Sequence, residues 1–175
     1  EQVQLLMEAA KGERLFLPVI LAAYYGLRRS EVVGLRWSNI DFENKRIYIR
    51  NKASEVKENG KLQTIITDEM KTESSKRALP LLPEVENILR EHRELQDTNR
   101  RLYRRDYAKE YLDMVCVDPL GNLIRPNYIS ECFPKMLKKN GLPRIRFHDL
   151  RHSCASMLIA HKAGMKQVQM WMGHS

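Results

Sequence analysis

The sequence predicts an α+β domain that is mainly helical and carries a small three-stranded antiparallel sheet. Three observations point there. Apolar residues recur at helical spacing on both flanks, in Val3, Leu6, Met7 and Ala10 and again in Val85, Ile88 and Leu89. The middle holds short β-prone runs between turn residues, among them residues 46–50 and 64–67. A chain of 175 residues with 43% hydrophobic content is long and apolar enough to bury one core, which sets disorder aside.

The elements follow in order. Gly12 ends the first helix. Pro18 suits the first turn of a second, which runs through Leu21 and Tyr25 to Gly26. Ser30 and Glu31 open a short third helix ending near Gly34, and everything to residue 43 reads as helical. The pattern then changes. Arg46-Ile47-Tyr48-Ile49-Arg50 is a strand, Asn59-Gly60 is a hairpin turn, and Thr64-Ile65-Ile66-Thr67 is the return strand. Residues 77–81 form a third, shorter strand, placed at an edge because Pro80 has no N–H for a ladder. Helices resume after Pro83, with an apolar stripe to about Leu95. A turn at Asp118-Pro119-Leu120-Gly121 precedes helices over about 127–139, 149–162 and 166–172, punctuated by Gly141, Gly164 and Gly173. No internal repeat, low-complexity tract or interdomain linker interrupts them.

Charge narrows the class. Thirty Lys and Arg against 22 Asp and Glu leave +8, which favours an acidic partner, most simply nucleic acid. No apolar run approaches the ~18 residues of a membrane span, and no signal peptide is visible. Cys116, Cys132 and Cys154 are widely spaced among apolar neighbours, so they read as buried free thiols suited to a reducing interior. No close Cys/His pair has zinc-finger spacing, and His148 and His152 enclose Asp-Leu-Arg rather than a metalloprotease pattern.

Four places carry candidate chemistry. Arg28 follows Gly26-Leu27 between two helices; its planar fork matches phosphate oxygens at any useful pH. Glu31, three residues on, is placed to hold that segment by hydrogen bonds, and Arg29 is a rival of equal charge. His148 and Arg151 fall at the start of a helix beginning at Asp149, where backbone N–H groups also favour an anion. There histidine holds or moves a proton near neutral pH and arginine neutralises a phosphate oxygen. Phe147, Leu150, Met157 and Leu158 form the supporting apolar face, and His152 reads as structural, turned towards a neighbouring turn or the core. His174 closes the last helix after Trp171, Met172 and Gly173, the first two being core anchors. Lys71 sits in the turn between two strands; Lys76 is its rival, and Arg77 either contacts a polyanion or marks the strand face. The seven Lys and Arg of residues 90–109 read as a solvated face rather than a phosphate-contact strip.

The blocks GLRRSEVVGLRW, MKTESSKRALPL, HDLRHSCASML and MGHS, in that order, resemble the catalytic domain of tyrosine recombinases, the phage-integrase family. The resemblance covers essentially the whole chain. The strand insert at 51–67 is similar to integrases of Gram-positive conjugative transposons and temperate phages. It implies that Arg28 is the first catalytic arginine, Lys71 the lysine of the sheet turn, His148 and Arg151 the histidine and second arginine of the HxxR block, and His174 the last histidine. It further implies site-specific strand cleavage and rejoining through a 3′-phosphotyrosyl link, without metal or cofactor. The implied partners are double-stranded attachment-site DNA and a tetrameric synaptic complex, in the bacterial cytoplasm and away from membranes. In the family the nucleophilic tyrosine follows the last histidine. Here none of the seven tyrosines, at 24, 25, 48, 103, 107, 111 and 128, follows MGHS. The expectation is therefore a catalytic domain over residues 1–175, truncated before its nucleophile, lacking the N-terminal core-binding domain, monomeric and inactive alone.

Overall fold

A computed structural model describes residues 2–68 and 76–173. The organising element is α2 (Phe16–Tyr25), in which Leu17, Pro18, Val19, Ile20, Leu21, Ala22, Ala23 and Tyr25 are all buried. A helix apolar on every side has no solvent face and must sit at the centre of the core. Accordingly α1 (Gln2–Ala10), α3 (Arg29–Gly34) and α6 (Asp149–Ala160) all pack against it.

A three-stranded antiparallel sheet stands beside these helices in the order β1 (Ile40–Asp41), β2 (Arg46–Ile49), β5 (Arg77–Pro80). Ile47 and Ile49 alternate inward from β2, as the two-residue period of a strand requires. β5 is an edge strand, so Pro80 removes no ladder bond on its outer side.

The sheet is three-stranded and antiparallel, but its membership differs from the sequence reading. The return strand around Thr64–Thr67 does not join it. Instead β3 (Lys52–Glu58) and β4 (Lys61–Thr67) make a separate ribbon, turning at Asn59-Gly60 with φ of 49° and 78°. Positive φ at both positions matches the right-handed twist of the flanking strands. The third place is taken by the two-residue β1, within a stretch that reads as helical, through the pairing Ile40↔Ile47.

The ribbon is anchored at its base. Ala53 is buried, and the buried Asn51 donates to Asp68 and accepts from Asn39. Glu55 reaches across to accept the Asn127 N–H at 3.0 Å, capping α5 (Pro126–Lys139). α4 (Pro83–Tyr103) buries only Val85 and Leu89, both in its first half; Arg100, Arg101, Leu102 and Tyr103 lie exposed at its end. α7 (Met165–Met172) packs on α6 and β5, with Trp171 stacked on Tyr25 at 5.9 Å. Among the described residues no helix is long and apolar enough to cross a membrane.

Candidate active site

Two helix starts face one cleft. Arg28 stands at the N-cap of α3, and its backbone N–H donates to Glu31 Oε2 at 2.9 Å, as in one half of a capping box. His148 stands at the N-cap of α6, and there Asp149 turns back to accept the Arg146 N–H at 2.8 Å. The cleft between them, of about 780 Å³, is lined by Arg28, Arg29, Arg144, Arg146 and His148 together with Ser130 on α5. Four arginines and one acidic liner, Asp149, make it a basic cavity, and Asp149 is itself paired with Arg146 at 2.9 Å.

Arg151 lies beneath this cleft rather than in its wall. Its residue exposure is 3%, because packing of α6 on α2 carries it inward. Its Nη1 donates to Gly26 O at 2.6 Å, 125 positions away in sequence, and its Nη2 donates to Met172 O. A guanidinium has five N–H donors, so these two carbonyls leave donors for an anion. Burial and then the Arg28 charge push its pKa down to about 10, partly opposed by Glu31. It stays protonated at neutral pH.

Glu31, 2% exposed, joins the parts. It accepts from Arg28 Nη1 at 3.1 Å and from both Nη atoms of Arg77 at 3.1 Å. Burial works to raise the Glu31 carboxyl, but the hydrogen bonds and charge of Arg77, then the Arg28 amide and guanidinium, hold it below its ordinary value. Arg77 is thus neither a polyanion contact nor a mark of the strand face: its side chain is 5% exposed and points at Glu31 and α7. Only the tertiary position of Glu31 makes that choice.

His148 is exposed at the cleft, its ring 5.4 Å from that of His152. Partial burial, then the charges of His152, Arg151 and Arg146, hold its pKa below the usual histidine value, so it is neutral at pH 7. His152 is exposed beside it, not turned to the core, because α6 packs on α2 with Leu150, Arg151 and Cys154. Met157 is also more exposed than a supporting face requires, at 39%. Cys116 and Cys154 are buried free thiols, and Cys132 is half-buried. Among the described residues no tyrosine lines the cleft; Tyr128 lines a different one, and Tyr25 is buried with its pKa pushed up to about 12.

Arg28 and His148 therefore share one cleft above the buried Arg151. Lys71 and His174 lie outside the described residues, as do 69–75 generally. The sequence reading passed over Arg144, Arg146 and Ser130; the alternation Arg144-Ile145-Arg146 just before a helix start was the available signal.

The phage integrase family model matches residues 1–175. The chain belongs to the phage integrase family. A tyrosine recombinase XerC-like protein of Caldanaerobacter subterraneus subsp. tengcongensis is 33% identical over all of this chain and 46% of its own length. A putative prophage phiRv2 integrase of Mycobacterium tuberculosis is 27% identical over 90% of this chain and 38% of its own length. The chain thus spans less than half the length of these phage-integrase relatives. The fold is that of the Tn1549 transposon integrase solved with circular intermediate DNA (TM-score 0.78, 22% identity, 99% of this chain and 57% of that one). It is also that of the lambda integrase catalytic core (TM-score 0.68, 18% identity, 99% of this chain and 92% of that one).

Proposed function

We propose that this domain provides the phosphate-activating machinery of a DNA strand-breaking and rejoining recombinase, acting on double-stranded attachment-site DNA. The observation that carries the reading is the convergence of Arg28 and His148 on one basic cleft above Arg151, with Glu31 between the arginines. A pentacoordinate phosphate gains negative charge on its non-bridging oxygens. Fixed guanidinium donors stabilise that charge more than they stabilise the ground state. Arg151 is held by backbone carbonyls within the fold, which limits the reorganisation it needs when DNA arrives, and Glu31 orients the more exposed Arg28.

The chemistry balances without a metal or cofactor. A tyrosine oxygen forms a bond to phosphorus and gives up its proton, and the P–O5′ bond breaks. Neutral His148 accepts or relays a proton on the cleft side. Lys71 supplies the proton to the departing 5′ oxygen, and His174 contacts the scissile phosphate. Attack by a 5′ hydroxyl of another strand on the 3′-phosphotyrosyl bond reverses the steps and completes exchange. Tetrameric synapsis, and a monomeric, non-cleaving state for residues 1–175 alone, belong to the same proposal.

The test is covalent capture. A protein carrying this domain together with a nucleophilic tyrosine, mixed with nicked attachment-site DNA, should form a 3′-phosphotyrosyl adduct that Arg28→Ala abolishes. Residues 1–175 alone should bind duplex DNA weakly, with affinity falling steeply with salt, and form no adduct. DNA binding without any adduct from the longer protein would instead mark a non-catalytic DNA-binding module.

A further inference from the structure

The machinery just proposed does not assign a role to Arg77, yet this side chain is held more elaborately than a strand residue requires. Its two Nη atoms take one oxygen each of Glu31 at 3.1 Å. Its Nε donates to Trp171 O at 2.8 Å. Arg151 donates to the next carbonyl, Met172 O. Two buried arginines therefore cap successive carbonyls at the C-terminal end of α7. Carbonyls there have no intrahelical partner and carry the negative end of the helix dipole, so cationic donors suit them.

The helix end is also shaped to receive Arg77. Gly173 adopts φ of 62°, and a Cβ there would stand 2.7 Å from Arg77 Nη1. The chain can thus pass close to the guanidinium only as glycine in the left-handed conformation. The residue that follows is His174. At its other end the same guanidinium fixes the carboxylate that holds Arg28. The position of Arg77 ties β5, α3 and α7 into one ion-paired unit.

We propose that Arg77 is a positioning residue for cleavage: it sets Arg28 through Glu31 and fixes the C-terminal end of α7 up to Gly173, without touching DNA. The proposal rests on the recombinase reading above. Lysine is a poor replacement, since a single ammonium cannot present the planar fork that spans both Glu31 oxygens and the Trp171 carbonyl.

The experiment uses the full-length protein with Arg77→Lys, Glu31→Gln and, as a control on the underlying reading, Arg28→Ala. Each is assayed on two nicked duplexes, one with the ordinary scissile phosphodiester and one with a neutral methylphosphonate there. The methylphosphonate gains less charge at the reacting phosphorus and has less need of well-placed cations. Arg77→Lys should slow cleavage of the ordinary duplex by about 10²-fold, the scale of one misplaced transition-state donor. Its DNA Kd should stay within about threefold of wild type, because the side chain is buried away from the cleft. On the methylphosphonate the loss should shrink below about tenfold, and Glu31→Gln should show the same substrate dependence. Equal losses on both duplexes would show a merely structural role and overturn the proposal, as would an unchanged cleavage rate. If Arg77→Lys fails to fold, Glu31→Gln decides by the same criterion. An Arg28→Ala protein that cleaves normally would instead strike down the recombinase assignment of the cleft itself.

Discussion

Arginines occupy two contrasting settings in this chain. At the site, the side chains of Arg77 and Arg151 are enclosed, their donors given to Glu31 and to the carbonyls of Gly26, Trp171 and Met172. At the end of α4, Arg100, Arg101, Arg104 and Arg105 are exposed, and the ion pair there, Arg100 with Asp97 at 3.2 Å, is held between two half-solvated side chains. The α4 cluster is the denser one in sequence. Its charges keep their hydration, so an individual pair there contributes about 0–1 kcal/mol. The site arginines have given up hydration and depend wholly on their partners, which makes them both costly to disturb and rigid in direction. Charge density along a chain marks solubility; charge taken out of water marks a place where geometry has been fixed.

That contrast can be broken from its strong side first. Arg151→Ala should lower covalent-adduct formation by about 10³-fold in the full-length protein, measured on a nicked substrate. It should also leave Gly26 O and Met172 O without their donors, at about 1–3 kcal/mol of stability each if water does not enter. A variant that keeps near-normal cleavage would show that burial here serves packing alone.

Glu31→Ala comes next. It strands the enclosed Arg77 charge, and chemical denaturation should show a loss of about 3–5 kcal/mol. The wild-type protein should share part of this loss in acid. The Glu31 carboxyl is held below its ordinary value, so the unfolded chain takes up a proton first as pH falls. Its stabilisation is complete above the ordinary carboxylate range, about pH 4–5, and disappears as pH drops through the lowered value. A stability profile of Glu31→Ala that parallels wild type through this acid range would argue against the link.

His148 supplies an intermediate case, exposed but pushed towards its neutral form. Lowering pH progressively below the usual histidine value should protonate it and tighten DNA binding beyond what His148→Gln shows, while cleavage falls. Parallel binding curves for the two proteins would remove His148 from the cleft's electrostatics. The smallest effect belongs to α4. Replacing Arg100, Arg101, Arg104 and Arg105 together by Gln should change stability by no more than about 0.5 kcal/mol per site and leave the salt slope of DNA binding almost unaltered. A slope reduced by several units would make the α4 end a second DNA-contact surface and erase the distinction.

Much of the frame was legible before any coordinates. The helix over 126–139 was expected at 127–139, and α7 begins and ends within a residue of its expected bounds. The Asn59-Gly60 turn formed where its residue pair requires one. The Arg28 and His148 assignments to one cleft were reachable only by resemblance, because nothing local relates the start of α3 to the start of α6. The ribbon's separation from the sheet was hidden for a related reason. β2 chose β5 and the two-residue β1 as neighbours, and strand pairing over such separations is set by packing on both faces, not by the strands' own composition.

Local chemistry in the sequence determined where helices start and stop, where the hairpin turns, and which blocks carry phosphate-directed side chains. Those signals act over a few residues, through backbone sterics and hydrogen bonds that any stretch of chain feels alone. Only the tertiary structure decided which arginines lose their water. Glu31, Arg77, Arg151 and the end of α7 are far apart in sequence, and each looks like an ordinary surface group until packing of α6 on α2 and α7 on β5 brings them together. Burial then turns Arg77 from an edge-strand cation into a fixed link between α3 and α7, because a charge removed from water must find its partners inside the fold.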